Sequence, residues 1–153
     1  MSDAKSGAKV GGIFTVEQYR EGELIDTWEF PNTVVNEGLN YLLDTALSGG
    51  TADTSWHVGL IADNVTPVAG DTAASHGFAE VNGTYDETTR PAWTEAGVSS
   101  QSITNSASKA TFTFNTGDTI YGAFLISDST IGGTSGTLFA ASLFSASRTV
   151  ASS

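Results

Sequence analysis

Along most of the chain apolar and polar residues alternate with the two-residue period of a β-strand, and only once do they recur with the period of a helix. The stretch "GGIFTVEQYREGELIDTWEF" holds two such runs around Arg20-Glu21-Gly22 and predicts a hairpin. Its first run sets Ile13, Thr15, Glu17 and Tyr19 on one face and Phe14, Val16 and Gln18 on the other. Its second sets Leu24, Asp26, Trp28 and Phe30 against Ile25, Thr27 and Glu29, and Pro31, which has no amide to donate, is expected to end the strand.

The helical period follows in "NTVVNEGLNYLLDTALSGG", residues 32 to 50. Asn36 suits an N-cap, Glu37 falls in the first turn where the helix dipole favours an acid, and Gly49-Gly50 ends the run. Leu39, Leu42, Leu43, Ala46 and Leu47 keep the i, i+3, i+4 spacing of one apolar stripe. The pattern predicts a helix over about 36–48, its stripe laid across an open side of a sheet or barrel.

"SWHVGLIA" (55 to 62) reads as a compact central strand, after which the pattern is lost from Asp63 to Asp86. An irregular segment of that length inside one domain is usually functional, so it is expected to be an interaction loop. Strand-like runs resume in "TRPAWTEA", "SSQSITNSA", "KATFTFNTG", "TIYGAFLIS" and "TLFAASLFSAS", with alternation clearest in Ala110, Phe112 and Phe114 against Thr111 and Thr113. Ile120 to Ile126 is apolar on both sides and reads as buried. The fold class expected is mainly β: an antiparallel β-sandwich or barrel of seven to nine short strands with one short amphipathic helix. Residues 1–11 form a polar N-terminal arm, and 12–153 a single β domain.

Charge narrows the partners. Seventeen acidic residues against six basic give a net charge of -11, a field that repels phosphate backbones, so direct nucleic-acid binding is not expected. The 18 Ser, 21 Thr and 17 Gly exceed a third of the chain and imply a hydroxyl-rich surface of low charge density. With no cysteine, there is no disulfide framework and no thiolate chemistry. No apolar run reaches the roughly 18 residues a membrane span needs, and "MSDAKSGAKVGG" lacks the apolar centre of a signal peptide. Synthesis in a cytoplasm, without membrane contact, is the expectation.

Candidate chemistry is sparse. His57, inside a strand pattern beside Trp56, reads as a packing residue; His76 lies in the irregular segment, and no ligand spacing for a metal accompanies either. Asp86, Glu87 and Glu95 flank Trp93, the composition of a glycoside-cleaving pair, but among seventeen acids such groupings arise by coincidence. Asp53-Thr54-Ser55 and Asp128-Ser129-Thr130 lack the alternating acids of a calcium loop. No catalytic residue, cofactor or metal is assigned. Contact surface remains, with Lys5, Lys9, Val65, Pro67, Phe78, Tyr85 and Trp93 as interface candidates. The arm carries Lys5 and Lys9 and too little apolar surface to order itself, so a neighbouring subunit is expected to hold it.

"NTVVNEGLNYLLDTAL", "SWHVGLIADNVTPVAGDTAA", "TRPAWTEA", "SQSITNSASKATFTFN" and "TIYGAFLIS" together resemble a group of small structural proteins of tailed bacteriophages, from about Gly12 to Ser147. The resemblance implies a virion component, most often a head decoration or cement protein on the capsid surface, made in the host bacterial cytoplasm. Its implied partners are the major capsid protein and copies of itself, as a dimer or trimer. A tail-tip or fibre domain recognising a host receptor or glycan is the alternative, and a weak cell-wall enzyme a third. The group's pattern runs on beyond "SASRTV", so an unfilled sheet edge near the C-terminus is expected, one that a neighbour could complete.

Overall fold

A computed structural model of the chain describes residues 9–152; Lys5 and most of the arm lie outside them. The expected mainly β architecture is what the chain adopts, 40% strand and 9% helix, in one antiparallel sheet curled into a half-barrel. Its strands are β1 (Gly12–Arg20), β2 (Glu23–Val34), β3 (Trp56–Ile61), β4 (Ala92–Trp93), β5 (Asp118–Ile126) and β6 (Leu138–Val150). They lie in the order β1-β2-β6-β5-β3-β4. Helix α1 (Asn36–Leu43) follows β2 and runs into a π-helical turn, Asp44–Ser48.

The hairpin forms as the alternation predicts. Glu21 and Gly22 both take positive φ, 50° and 83°, the turn whose twist matches the two strands it joins. Phe14 stands opposite Phe30 and Val16 opposite Trp28 on the inward face, while Ile13 on the other face is 67% exposed. Phe30 and Trp28 meet Phe144 of β6 edge-on, at 4.8 and 5.5 Å between ring centres. Pro31 does not end β2. The strand changes partner there: up to Asn32 it pairs with β1, and Thr33 and Val34 pair with Ala141 and Ala140 of β6.

Strands β3, β5 and β6 form the centre, apolar on both faces. Leu60 and Ile61 are consecutive, so they point to opposite sides. Leu60 joins Phe30, Val81, Tyr85, Ile120, Ala123 and Phe144, whereas Ile61 joins Val35, Ala73, Phe78, Phe124, Ile126 and Leu138. One side is thus covered by the hairpin, the other by the residues that enter α1 and by the segment after β3.

That segment, 63–86, expected to be an interaction loop, packs in part against the core. It supplies Ala73, Phe78, Val81 and Tyr85 to the core and is tied to the end of β3 through Ala62 N to Ala79 O (2.8 Å) and Val81 N to Leu60 O (2.9 Å). Its Gly, Ser and Thr content suits a chain that follows another surface closely without regular structure.

Six strands, not seven to nine, are present among the described residues. In "SSQSITNSA" Ser100 and Gln101 take positive φ, and Ser99 and Ser102 exchange backbone hydrogen bonds, so this run is a turn. Ala110, Phe112 and Phe114 do point inward, but a single bridge from Phe114 to Tyr85 replaces a ladder. In strand order β6 lies between β2 and β5, and the outer strands are β1 and β4, but β2 reaches β6 only at Ala140 and Ala141, so residues 142–150 have a ladder partner on the β5 side alone among the described residues.

Candidate functional site

Two features stand out from the packing, a buried ion-pair clamp and a helix seated unlike its pattern. Arg90 Nε donates to Glu80 Oε1 at 2.8 Å and Nη2 to Oε2 at 2.9 Å, with the two side chains 1% and 6% exposed. The guanidinium also donates to the carbonyls of Asp128 (2.8 Å) and Gly133 (3.0 Å) and lies 5.4 Å above the Phe124 ring. Glu80 Oε2 accepts the Gly132 amide at 2.6 Å as well. Four of the five guanidinium N–H groups and both carboxylate oxygens are thereby engaged, the kind of pairing under which a buried charge pair is tolerated. The clamp joins the segment after β3, the approach to β4 and the β5–β6 loop.

Helix α1 enters through Val35, fully buried in extended conformation, and not through an Asn36 side-chain cap. The Asn36 amide is satisfied by the Ala69 carbonyl at 2.8 Å, which leaves its side chain outside. Nor is the leucine stripe the buried face. Gly38 is buried instead, and a Cβ there would stand 2.4 Å from the Phe139 carbonyl oxygen of β6. Backbone meets backbone at this crossing, and only glycine permits it. Tyr41 seats the same side edge-on against Trp56, at 5.2 Å. Glu37 fastens the first turn, its Oε2 accepting the amides of Ala73 (2.8 Å) and Leu138 (2.6 Å).

That seating turns Leu39, Leu43 and Leu47 outward, 36%, 58% and 82% exposed. Spaced four residues apart, they form a row along one side of the helix and its π turn. On another side of the helix an open groove of about 370 Å³ is lined by Glu37, Asn40, Tyr41, Asp44 and Thr137. The Asp44 carboxylate has no partner among the described residues.

The interface candidates separate by burial. Pro67, Phe78 and Tyr85 are buried and so are packing residues, because each fills the core side of the segment after β3. Lys9 and Val65 are exposed and Trp93 is half-buried opposite Trp56, while Lys5 is outside the described residues. His57 Nδ1 donates to the Arg90 carbonyl at 3.1 Å, and His76 stacks on Phe78 at 4.2 Å. Of the acids near Trp93, Asp86 accepts from Asn115 and Glu87 from the Thr113 amide, and Asp128 accepts the Thr130 amide of its own turn. Among the described residues no three acids or histidines converge on one point.

Arg90, Glu80 and Gly38 are not picked out by the sequence, and Glu37 only as a first-turn acid. The available signals were faint: an arginine among only six basic residues, a glutamate inside the apolar run "GFAEV", and a glycine within a helical period. Tyr85 is pushed up to about 12 by burial, then by the Glu80 carboxylate. No protein-family model, curated protein or solved structure matches the chain.

Proposed function

We propose that the protein is a structural component of a tailed-bacteriophage virion, a head decoration protein that cements the capsid by contacts with the major capsid protein and with copies of itself. The observation that carries this reading is the exposed row Leu39, Leu43 and Leu47 on an ordered helix. Large apolar side chains aligned on a rigid element mark a contact surface. The similarity of the segments quoted above to phage structural proteins supplies the kind of assembly. A net charge of -11 suits an outer shell that never touches the packaged genome.

The test is a virion that lacks the protein. Such particles should lose DNA at lower temperature or lower ionic strength than complete ones, and adding the purified protein back should restore resistance. Equal resistance with and without it would remove the cementing role. Binding to a cell-surface glycan, with the heads unaffected, would favour a tail-tip or fibre domain instead.

A further inference from the structure

We infer that Asn82 is a self-modifying site: its side-chain amide is lost by attack of the Gly83 backbone nitrogen, and the isoaspartate that follows loosens the segment after β3. Of seven asparagines in the chain, Asn82 alone is followed by glycine, whose missing side chain leaves the attacking nitrogen open, and no aspartate precedes a glycine. Both residues are exposed, Gly83 at φ 81°, and beyond its chain neighbours no atom lies within 4 Å of where a Cβ would stand. Among the described residues neither the Asn82 carboxamide nor the Gly83 amide is held by a hydrogen bond. By contrast, Asn115 Nδ2 donates to Asp86 at 2.8 Å, and the residue after it carries a side chain. Nucleophile and electrophile at 82–83 are thus adjacent, open to water and free to turn toward each other.

The step needs only water. The Gly83 nitrogen gives its proton to solvent base and bonds to Asn82 Cγ; the Cγ–Nδ2 bond breaks, and Nδ2 takes up a proton and leaves as ammonia, which closes a succinimide ring. Water then adds to one or the other ring carbonyl. Opening at Cγ yields aspartate. Opening at the backbone carbonyl yields isoaspartate, in which the chain runs through Cβ and Cγ and is longer by one atom. That extra atom falls between fixed points. Val81 is 1% exposed and its amide donates to the Leu60 carbonyl at 2.9 Å. On the other side the Thr84 carbonyl accepts the amides of Asn115 (3.0 Å) and Thr116 (3.3 Å), and Tyr85 is 5% exposed. Lengthening the chain between two such anchors must push one of them from its seat in a close-packed interior. Either product also adds a negative charge to a chain at -11.

The full chain is aged in warm, mildly alkaline buffer beside a synthetic peptide of residues 79–87, and both are followed by peptide mapping with fragmentation that tells isoaspartate from aspartate. Wild type should gain an acid at position 82 before any other asparagine, and sooner at higher pH, because the attacking nitrogen must lose its proton. A second unfolding transition should appear below the first as isoaspartate accumulates. Asn82→Ser, which removes the electrophile from an exposed position, should keep a single transition through the same incubation. Asn82→Asp, which has the charge without the added atom, should melt like fresh wild type. Asn82 left intact in the folded protein after the peptide has been converted would overturn the site, and so would earlier conversion at Asn105 or any other asparagine. Conversion to isoaspartate that leaves one unshifted transition would overturn the loosening.

Discussion

Arg90 holds both oxygens of Glu80 in a two-pronged pair, sealed from water between three stretches of chain that share no ladder with one another. Removing either partner leaves the other charged and buried. Arg90→Ala should therefore lower the unfolding free energy by about 3–5 kcal/mol. Glu80→Gln, which keeps the shape but not the charge, should cost about 1–3 kcal/mol. Urea titrations at neutral pH measure both, and an Arg90→Ala midpoint equal to wild type would refute the clamp.

Gly38 and Leu43 make opposite predictions from one helix. Gly38→Ala must displace α1 from the Phe139 carbonyl and should cost about 1–3 kcal/mol. Leu43→Asp alters a side chain already 58% exposed and should stay within about 1 kcal/mol of wild type. A buried leucine stripe would reverse that order, so thermal melts of the two variants decide between the seatings.

Tyr85 sets an alkaline limit. Its folded-state value of about 12 lies above the ordinary tyrosine value of 10, so the folded protein keeps a proton the unfolded chain gives up. The stabilisation is complete below pH 10 and is lost as pH rises from 10 through 12. Denaturant midpoints should fall over that interval in wild type and fall less steeply in Tyr85→Phe. An identical alkaline slope in the two proteins would show that Tyr85 is not the group responsible.

These contrasts mark what the sequence could disclose. Alternation placed Phe14, Val16, Phe112 and Phe114 inside, because a half-buried surface imposes a two-residue period whether or not a ladder forms. The helix existed where its period said, over 36–48, yet faced another way. Period reports which residues share a side, and the leucines do share one. Which side meets the sheet was decided by how closely backbones could approach, a property of Gly38 that polarity does not encode. Phe78 and Tyr85 were misassigned to a surface because their segment lacks a period, although irregular chain can also deliver side chains to a core. The clamp was hidden for a related reason. Arg90 and Glu80 are near in sequence, but the carbonyls of Asp128 and Gly133 that complete the arginine's shell come from a loop far along the chain.

The pairing of β3 with β5 has a consequence in time. His57 lies on Ile126 and Gly59 on Phe124, so this ladder forms only after the whole intervening chain has been drawn into a closed loop. The β1–β2 hairpin needs no such closure and is free to assemble at once. Arg90 sits within that loop, and its carbonyl acceptors belong to the stretch that follows β5, so the shell closes behind the slow step. Contacts made after the barrier leave the folding rate nearly untouched and retard escape from the folded state. In kinetic terms the clamp is a latch. It determines how long the molecule stays shut more than how fast it closes.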